Sequence, residues 1–69
     1  MAKDKAKLSV GEVISIYRKK QELTQQELAQ LIEVSVGTVV NYENNKTLPD
    51  IETLGKIIKV LHIPVNLLF

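Results

Sequence analysis

Only three residues, Glu33-Val34-Ser35, separate an apolar stripe ending at Ile32 from a further helical segment that starts at Val36. The stripe belongs to a segment opening on Thr24-Gln25-Gln26-Glu27. There a hydroxyl and a carboxylate three residues apart can satisfy each other's orphan amides and fix a helix N-terminus. Leu28, Leu31 and Ile32 follow on one side, with Ala29 beside them. The last residue of the gap, Ser35, is placed to cap a helix over 36–44, and Asn44-Asn45-Lys46 supplies residues that tolerate left-handed backbone at its end. The chain must therefore turn sharply between two short helices.

The remainder reads as helix as well. Ser9-Val10-Gly11-Glu12 is a second capping box, followed by Val10, Val13, Ile14 and Tyr17 at helical spacing. That segment closes on Arg18-Lys19-Lys20, whose charges suit the negative end of a helix dipole. After the connector Leu48-Pro49, Asp50 caps a segment with Ile51, Leu54, Ile57, Ile58 and Leu61 on one stripe. His62 falls at its end, where positive charge is again favoured. Pro64 stops the chain before a last turn over 65–68. The expectation is an all-α fold of five short helices, with residues 1–8 as a basic arm and 9–69 as one domain.

A chain of 69 residues has room for one domain and a small core. Zero cysteines exclude a disulfide framework or thiolate metal site, and a single histidine argues against an imidazole one. No Gly-rich phosphate loop, carboxylate pair or nucleophile–base set can be drawn, so neither an enzyme, a metal nor a cofactor is expected. No apolar run approaches the roughly 20 residues of a membrane span. The net charge of +1 conceals an uneven distribution. Lys3, Lys5, Lys7, Arg18, Lys19 and Lys20 crowd the first twenty residues, whereas 21–45 hold Glu22, Glu27, Glu33 and Glu43 with no Lys or Arg. A polyanion would meet the flanks before the middle.

Two short helices joined by a tight link form a helix-turn-helix unit, whose second helix can enter a DNA major groove. Within 36–44, Val39 and Tyr42 point toward the core, and Val36, Gly37, Val40, Asn41 and Asn44 share the outward face. Two outward valines four residues apart suit thymine methyl groups or a protein partner, and Asn41 can pair with a base edge. Tyr17 and Tyr42 each fall on an apolar stripe and read as core residues.

The residues Thr24-Gln25-Gln26-Glu27-Leu28-Ala29, Val34-Ser35, Thr38-Val39, Tyr42-Glu43 and Pro49 together resemble the phage-repressor and Cro-like, or XRE-type, helix-turn-helix family. The resemblance spans about residues 10–69. It implies a five-helix, lambda-repressor-like domain that binds double-stranded operator DNA as a homodimer and regulates transcription in the cytoplasm of a bacterium or phage-infected cell. It further implies that Gln25 contacts phosphate and that Val36, Gly37, Thr38, Val40 and Asn41 read bases. Asn44, Asn45 and Lys46 would hold the DNA backbone, and Arg18 and Glu43 would pair to tie the first helix to the third. An amide beside the free N–H groups of a helix N-terminus independently suits a phosphate oxygen.

Three departures from the family pattern stand out. Glu33 occupies the turn position usually held by Gly, and a non-glycine residue at positive φ costs roughly 1 kcal/mol. Gly37 is a weak helix former that leaves room for close backbone approach to DNA. The third helix also lacks Arg, Lys or Gln for bidentate base pairing, so specificity would rest on methyl contacts, Asn41 and DNA shape. Lys3, Lys5 and Lys7 suit phosphate contacts or simple solvation equally. A protein-interaction module, an antitoxin with a toxin partner, and a further domain beyond Phe69 all stay open at the level of sequence.

Overall fold

The computed structural model describes residues 8–68, so the expected arm with Lys3, Lys5 and Lys7 lies outside the described residues. Four α-helices follow one another: α1 (Val10–Lys20), α2 (Gln25–Ile32), α3 (Val36–Glu43) and α4 (Ile51–Leu61). A single 3-10 turn, Val65–Leu67, stands where a fifth helix was expected. Pro64 supplies no N–H and biases Ile63 toward extended backbone, so the chain gains only two i→i+3 bonds, from the Leu67 and Leu68 N–H groups at 3.0 and 2.9 Å. No strand occurs among the described residues.

Both capping boxes close. Ser9 Oγ accepts from the Glu12 N–H at 3.1 Å while Glu12 Oε1 accepts from the Ser9 N–H at 2.8 Å. Thr24 and Glu27 repeat the arrangement at 3.0 and 2.8 Å. Ser35 and Asp50 cap α3 and α4 through the N–H groups of Thr38 and Thr53.

The helix ends share an unusual feature. Glu22, Glu33, Asn45 and His62, one after each helix, have φ between 57° and 63°, and none is glycine. After α2, the Glu33 and Val34 N–H groups bond the carbonyls of Gln30 and Ala29 at 3.3 and 3.0 Å, which stops the helix and turns the chain within two residues. Glu33 offsets part of its backbone strain through an exposed ion pair with Lys56 Nζ at 2.9 Å. Its hydrogen bond to that ammonium, and the charge itself, lower the Glu33 pKa. Glu33→Gly is expected to raise the melting midpoint by a few degrees at pH 7, because strain relief exceeds an exposed pair. The pair's contribution is present above the ordinary carboxylate pKa and disappears as pH falls through the lowered folded-state value. The advantage of the Glu33→Gly variant over the parent should therefore widen in acid, and an unchanged midpoint at both pH values would contradict this account of the turn.

Val13, Ile14, Leu28, Ala29, Ile32, Val39, Tyr42, Ile57, Leu61 and Ile63 form the core, with α3 packed against α1 and α2, and α4 across α1 and α2. Tyr17, expected in the core, is half-buried and packs against it with Val10 and Ile58, Leu54 is half-buried, and two further stripe residues are left exposed. Leu31 is 53% exposed, because it flanks the Leu28–Ile32 line on the side opposite Ala29, away from the buried side of α2. Ile51 is 78% exposed, since the α4 stripe begins a turn before its neighbours do. Burial of its ring, with the Asp50 carboxylate nearby, pushes the Tyr42 phenol pKa up.

Candidate nucleic-acid interface

The left-handed Glu33 and the Ser35 cap deliver α3 directly from α2, and burial of Val39 and Tyr42 fixes how α3 is rotated. That rotation leaves Val36, Gly37 and Asn44 exposed and Thr38, Val40 and Asn41 half-buried. Val36 is 45% exposed at the first residue of the helix. The Thr38 hydroxyl lies 2.9 Å from Ser35 Oγ, so it turns back toward the cap. Around Gly37 the space is open: an added Cβ would find its nearest neighbour, Ser35 Oγ, at 3.9 Å.

Beneath this face lies a polar network joining three helices. Arg18 Nε donates to Glu43 Oε2 at 2.6 Å and Arg18 Nη2 to Oε1 at 3.2 Å, while Nη1 donates to the Leu23 carbonyl at 2.7 Å. Gln25 Nε2 donates to Glu43 Oε1 at 3.0 Å. This bond holds the Gln25 amide at the α2 N-terminus and leaves Nε2 a second hydrogen for another acceptor.

Asn45 is spent on the protein itself. Its Nδ2 donates to Ser9 Oγ at 2.9 Å and its Oδ1 accepts from the Gly11 N–H at 3.0 Å, clasping the start of α1 to the end of α3. The backbone after α3 is equally fixed, with the Lys46 N–H on the Asn41 carbonyl at 2.9 Å. Lys46 itself is exposed beside exposed Asn44. Sequence reasoning missed Gly11 altogether, although a glycine inside an otherwise well-capped helix is a hint of close backbone approach. It also missed the Gln25–Glu43 bond and the Asn45 clasp, which join residues far apart in the chain.

Local charge is milder than the composition of 21–45 suggests. Arg18 neutralises Glu43 and Lys56 pairs with Glu33, leaving Glu22 and Glu27 without an ion pair among the described residues. No cluster of His, Cys, Asp or Glu among the described residues could hold a metal ion, and no helix is long and apolar enough to cross a membrane.

A tight α2–α3 link, a rotated second helix with small and apolar residues outward, and two further helices behind define a helix-turn-helix domain. The sequence profile of the helix-turn-helix family matches residues 14–68, and the chain belongs to that family in its XRE-type, lambda-repressor and Cro-like form. The family consists of DNA-binding domains. Among characterised proteins, the chain is similar to endothelial differentiation-related factor 1 of Homo sapiens and of Mus musculus, with 34% identity over 63 residues in each case. The homolog from Xenopus laevis is also 34% identical over 63 residues. These matches cover 91% of this chain and 43% of each relative, so the chain spans less than half the length of the curated relatives it matches.

Proposed function

We propose that this protein is a sequence-specific, repressor-like transcriptional regulator that lays α3 in the major groove of operator DNA as a homodimer. The observation that carries the reading is the outward face of α3, where Val36 and Gly37 lead and the half-buried Val40 and Asn41 follow. In this reading Val36 and Val40 meet thymine methyl groups, Asn41 and Thr38 meet base edges, and Gly37 admits the DNA closely. Gln25 offers its second amide hydrogen to a phosphate at the α2 N-terminus, and Lys46 and Asn44 hold the backbone beyond α3. Asn45 contributes by fixing the loop that carries Lys46. The reading places the protein where duplex DNA is accessible, such as the cytoplasm of a bacterium or phage-infected cell.

Selection from a random-sequence duplex pool tests this directly. Enrichment of a two-fold-symmetric site, with half-sites about 34 Å apart and A·T pairs opposite the valines, is expected. If no sequence is enriched even at low salt, the valine face belongs to a protein partner instead. Lys3, Lys5 and Lys7 are proposed as phosphate contacts beside this interface. Deleting residues 2–7 should then reduce the magnitude of the log K against log[salt] slope by up to about 3, and an unchanged slope would remove the arm from the interface.

Gly37→Ala separates the two roles of that position. Space around it is open, so the variant should gain about 0.8–1.0 kcal/mol of helix stability. Its affinity for the selected duplex should nonetheless fall, because the added methyl occupies the closest approach. A variant that melts higher and binds as tightly would show that the glycine serves no contact.

A further inference from the structure

The outward side of α3 consists of two adjoining strips with different chemistry. Val36, Val40 and Glu43 follow one another at spacings of four and three, and so do Gly37, Asn41 and Asn44, so each set runs along one strip of the helix. The second strip carries two side-chain amides. On the first, both Glu43 oxygens are taken, Oε2 by Arg18 Nε at 2.6 Å and Oε1 by Arg18 Nη2 at 3.2 Å and Gln25 Nε2 at 3.0 Å. The Glu43 side chain is moreover only 7% exposed. The first strip therefore presents the methyl groups of exposed Val36 and half-buried Val40, and no side-chain group free to donate or accept a hydrogen bond.

We propose that this strip reads the C5-methyl group of a pyrimidine without regard to the base that bears it, so that binding responds to cytosine methylation as well as to thymine. The inference rests on α3 lying in the major groove, as proposed above. There thymine shows its methyl beside the O4 acceptor, whereas cytosine shows an N4 donor and no methyl. 5-Methylcytosine keeps the N4 donor and adds the methyl at the same place. Telling it from thymine takes a hydrogen-bonding group against O4 or N4, which Val36 and Val40 lack and Glu43 has already committed. Telling it from unmodified cytosine takes only apolar contact, which the valines provide. The Asn41 amide lies one strip over, and its donor–acceptor pair suits adenine N6 and N7 rather than a pyrimidine edge.

Binding of the whole chain to the duplex enriched from the random pool tests this, with each thymine replaced in turn by deoxyuridine, and by cytosine or 5-methylcytosine paired with guanine. Comparing only duplexes with the same purine partner keeps the purine edge constant. At one or two positions, deoxyuridine should bind about fourfold more weakly than thymine, the worth of one buried methyl. At those same positions, 5-methylcytosine should bind about fourfold more tightly than cytosine. Val36→Ala and Val40→Ala should each bring both ratios at one position toward one. Val36 is 45% exposed at the start of α3, so its truncation spares the core, and circular dichroism verifies the fold of both variants. Ratios near one at every position in the parent would overturn the proposal. So would thymine favoured over deoxyuridine with no gain from cytosine methylation, since another group would then be reading O4 or N4. Ratios that survive in both valine variants would overturn it as well, and would assign the methyl effect to DNA shape. All three results leave the operator reading standing, whereas a pool that yields no bound duplex removes that reading and this inference together.

Discussion

Gly11→Ala is expected to lower the melting midpoint by on the order of 15 °C, which corresponds to a loss of about 3 kcal/mol in a domain of this size. The reason is steric and local. A Cβ at position 11 would lie 2.4 Å from the Tyr42 carbonyl oxygen, 2.7 Å from that of Glu43 and 2.8 Å from Asn45 Oδ1. The first two are backbone atoms of α3, so no side chain can swing aside to relieve them. Either α1 lifts off α3 or the last turn of α3 deforms, and overpacking of this kind typically costs 1–3 kcal/mol or more. Separation also stretches the Gly11–Asn45 and Asn45–Ser9 hydrogen bonds, each worth about 1 kcal/mol. Against these stands the intrinsic preference of Ala over Gly in a helix, about 1 kcal/mol in the opposite direction. Marginal stability makes the net loss a large fraction of the whole. Gly55→Ala provides the contrast, since that Cβ meets open space and the same exchange should raise the midpoint. Thermal melts of the two variants followed by far-UV circular dichroism decide the matter. A Gly11→Ala midpoint equal to or above the parent's would show that α1 can withdraw from α3 without cost.

The contrast between those glycines also marks where the sequence was informative. The N-termini of all four helices were legible, because a hydroxyl or carboxylate acting on an amide three residues later is a local interaction written in adjacent letters. The sharp α2–α3 turn was legible for a related reason: three residues allow few paths. Ile51 and Leu31 were misjudged because periodicity reports that a helix has an apolar side, and says nothing of where the neighbouring helix stops. The same limit hid Gly11 and the Asn45 clasp, whose partners sit more than thirty positions away. Within the candidate interface, the outward face of α3 follows from burial of Val39 and Tyr42, which spacing alone predicts. The bond that holds Gln25 to Glu43 does not follow from spacing, since it depends on how α2 and α3 cross.

Removing the Glu43 carboxylate should be the most damaging polar change in the molecule. In Glu43→Ala, the Arg18 guanidinium keeps its bond to the Leu23 carbonyl but loses both carboxylate oxygens, and Gln25 Nε2 loses its acceptor as well. The pair is largely shielded, with 11% and 7% side-chain exposure for Arg18 and Glu43, so water cannot easily replace what is lost. Stranding a buried charge in this way costs about 3–5 kcal/mol, enough to leave much of a domain this small unfolded near 37 °C. Pairing the deletion with its partner reverses the expectation. Arg18→Met combined with Glu43→Leu strands no charge, and apolar side chains of similar volume can fill the space, so the double variant should lose far less than the two single changes added together. Urea titrations of Arg18→Met, Glu43→Leu and the double variant give the coupling energy, which should exceed about 2 kcal/mol. A coupling near zero would mean that the two side chains act as independent charges despite their geometry. Duplex binding by the double variant then separates holding the fold from aiming the site. If the variant is as stable as the parent yet binds the selected duplex less tightly, Glu43 also orients the Gln25 amide toward its phosphate. If binding is unchanged, the network serves only to lock α1, α2 and α3 together.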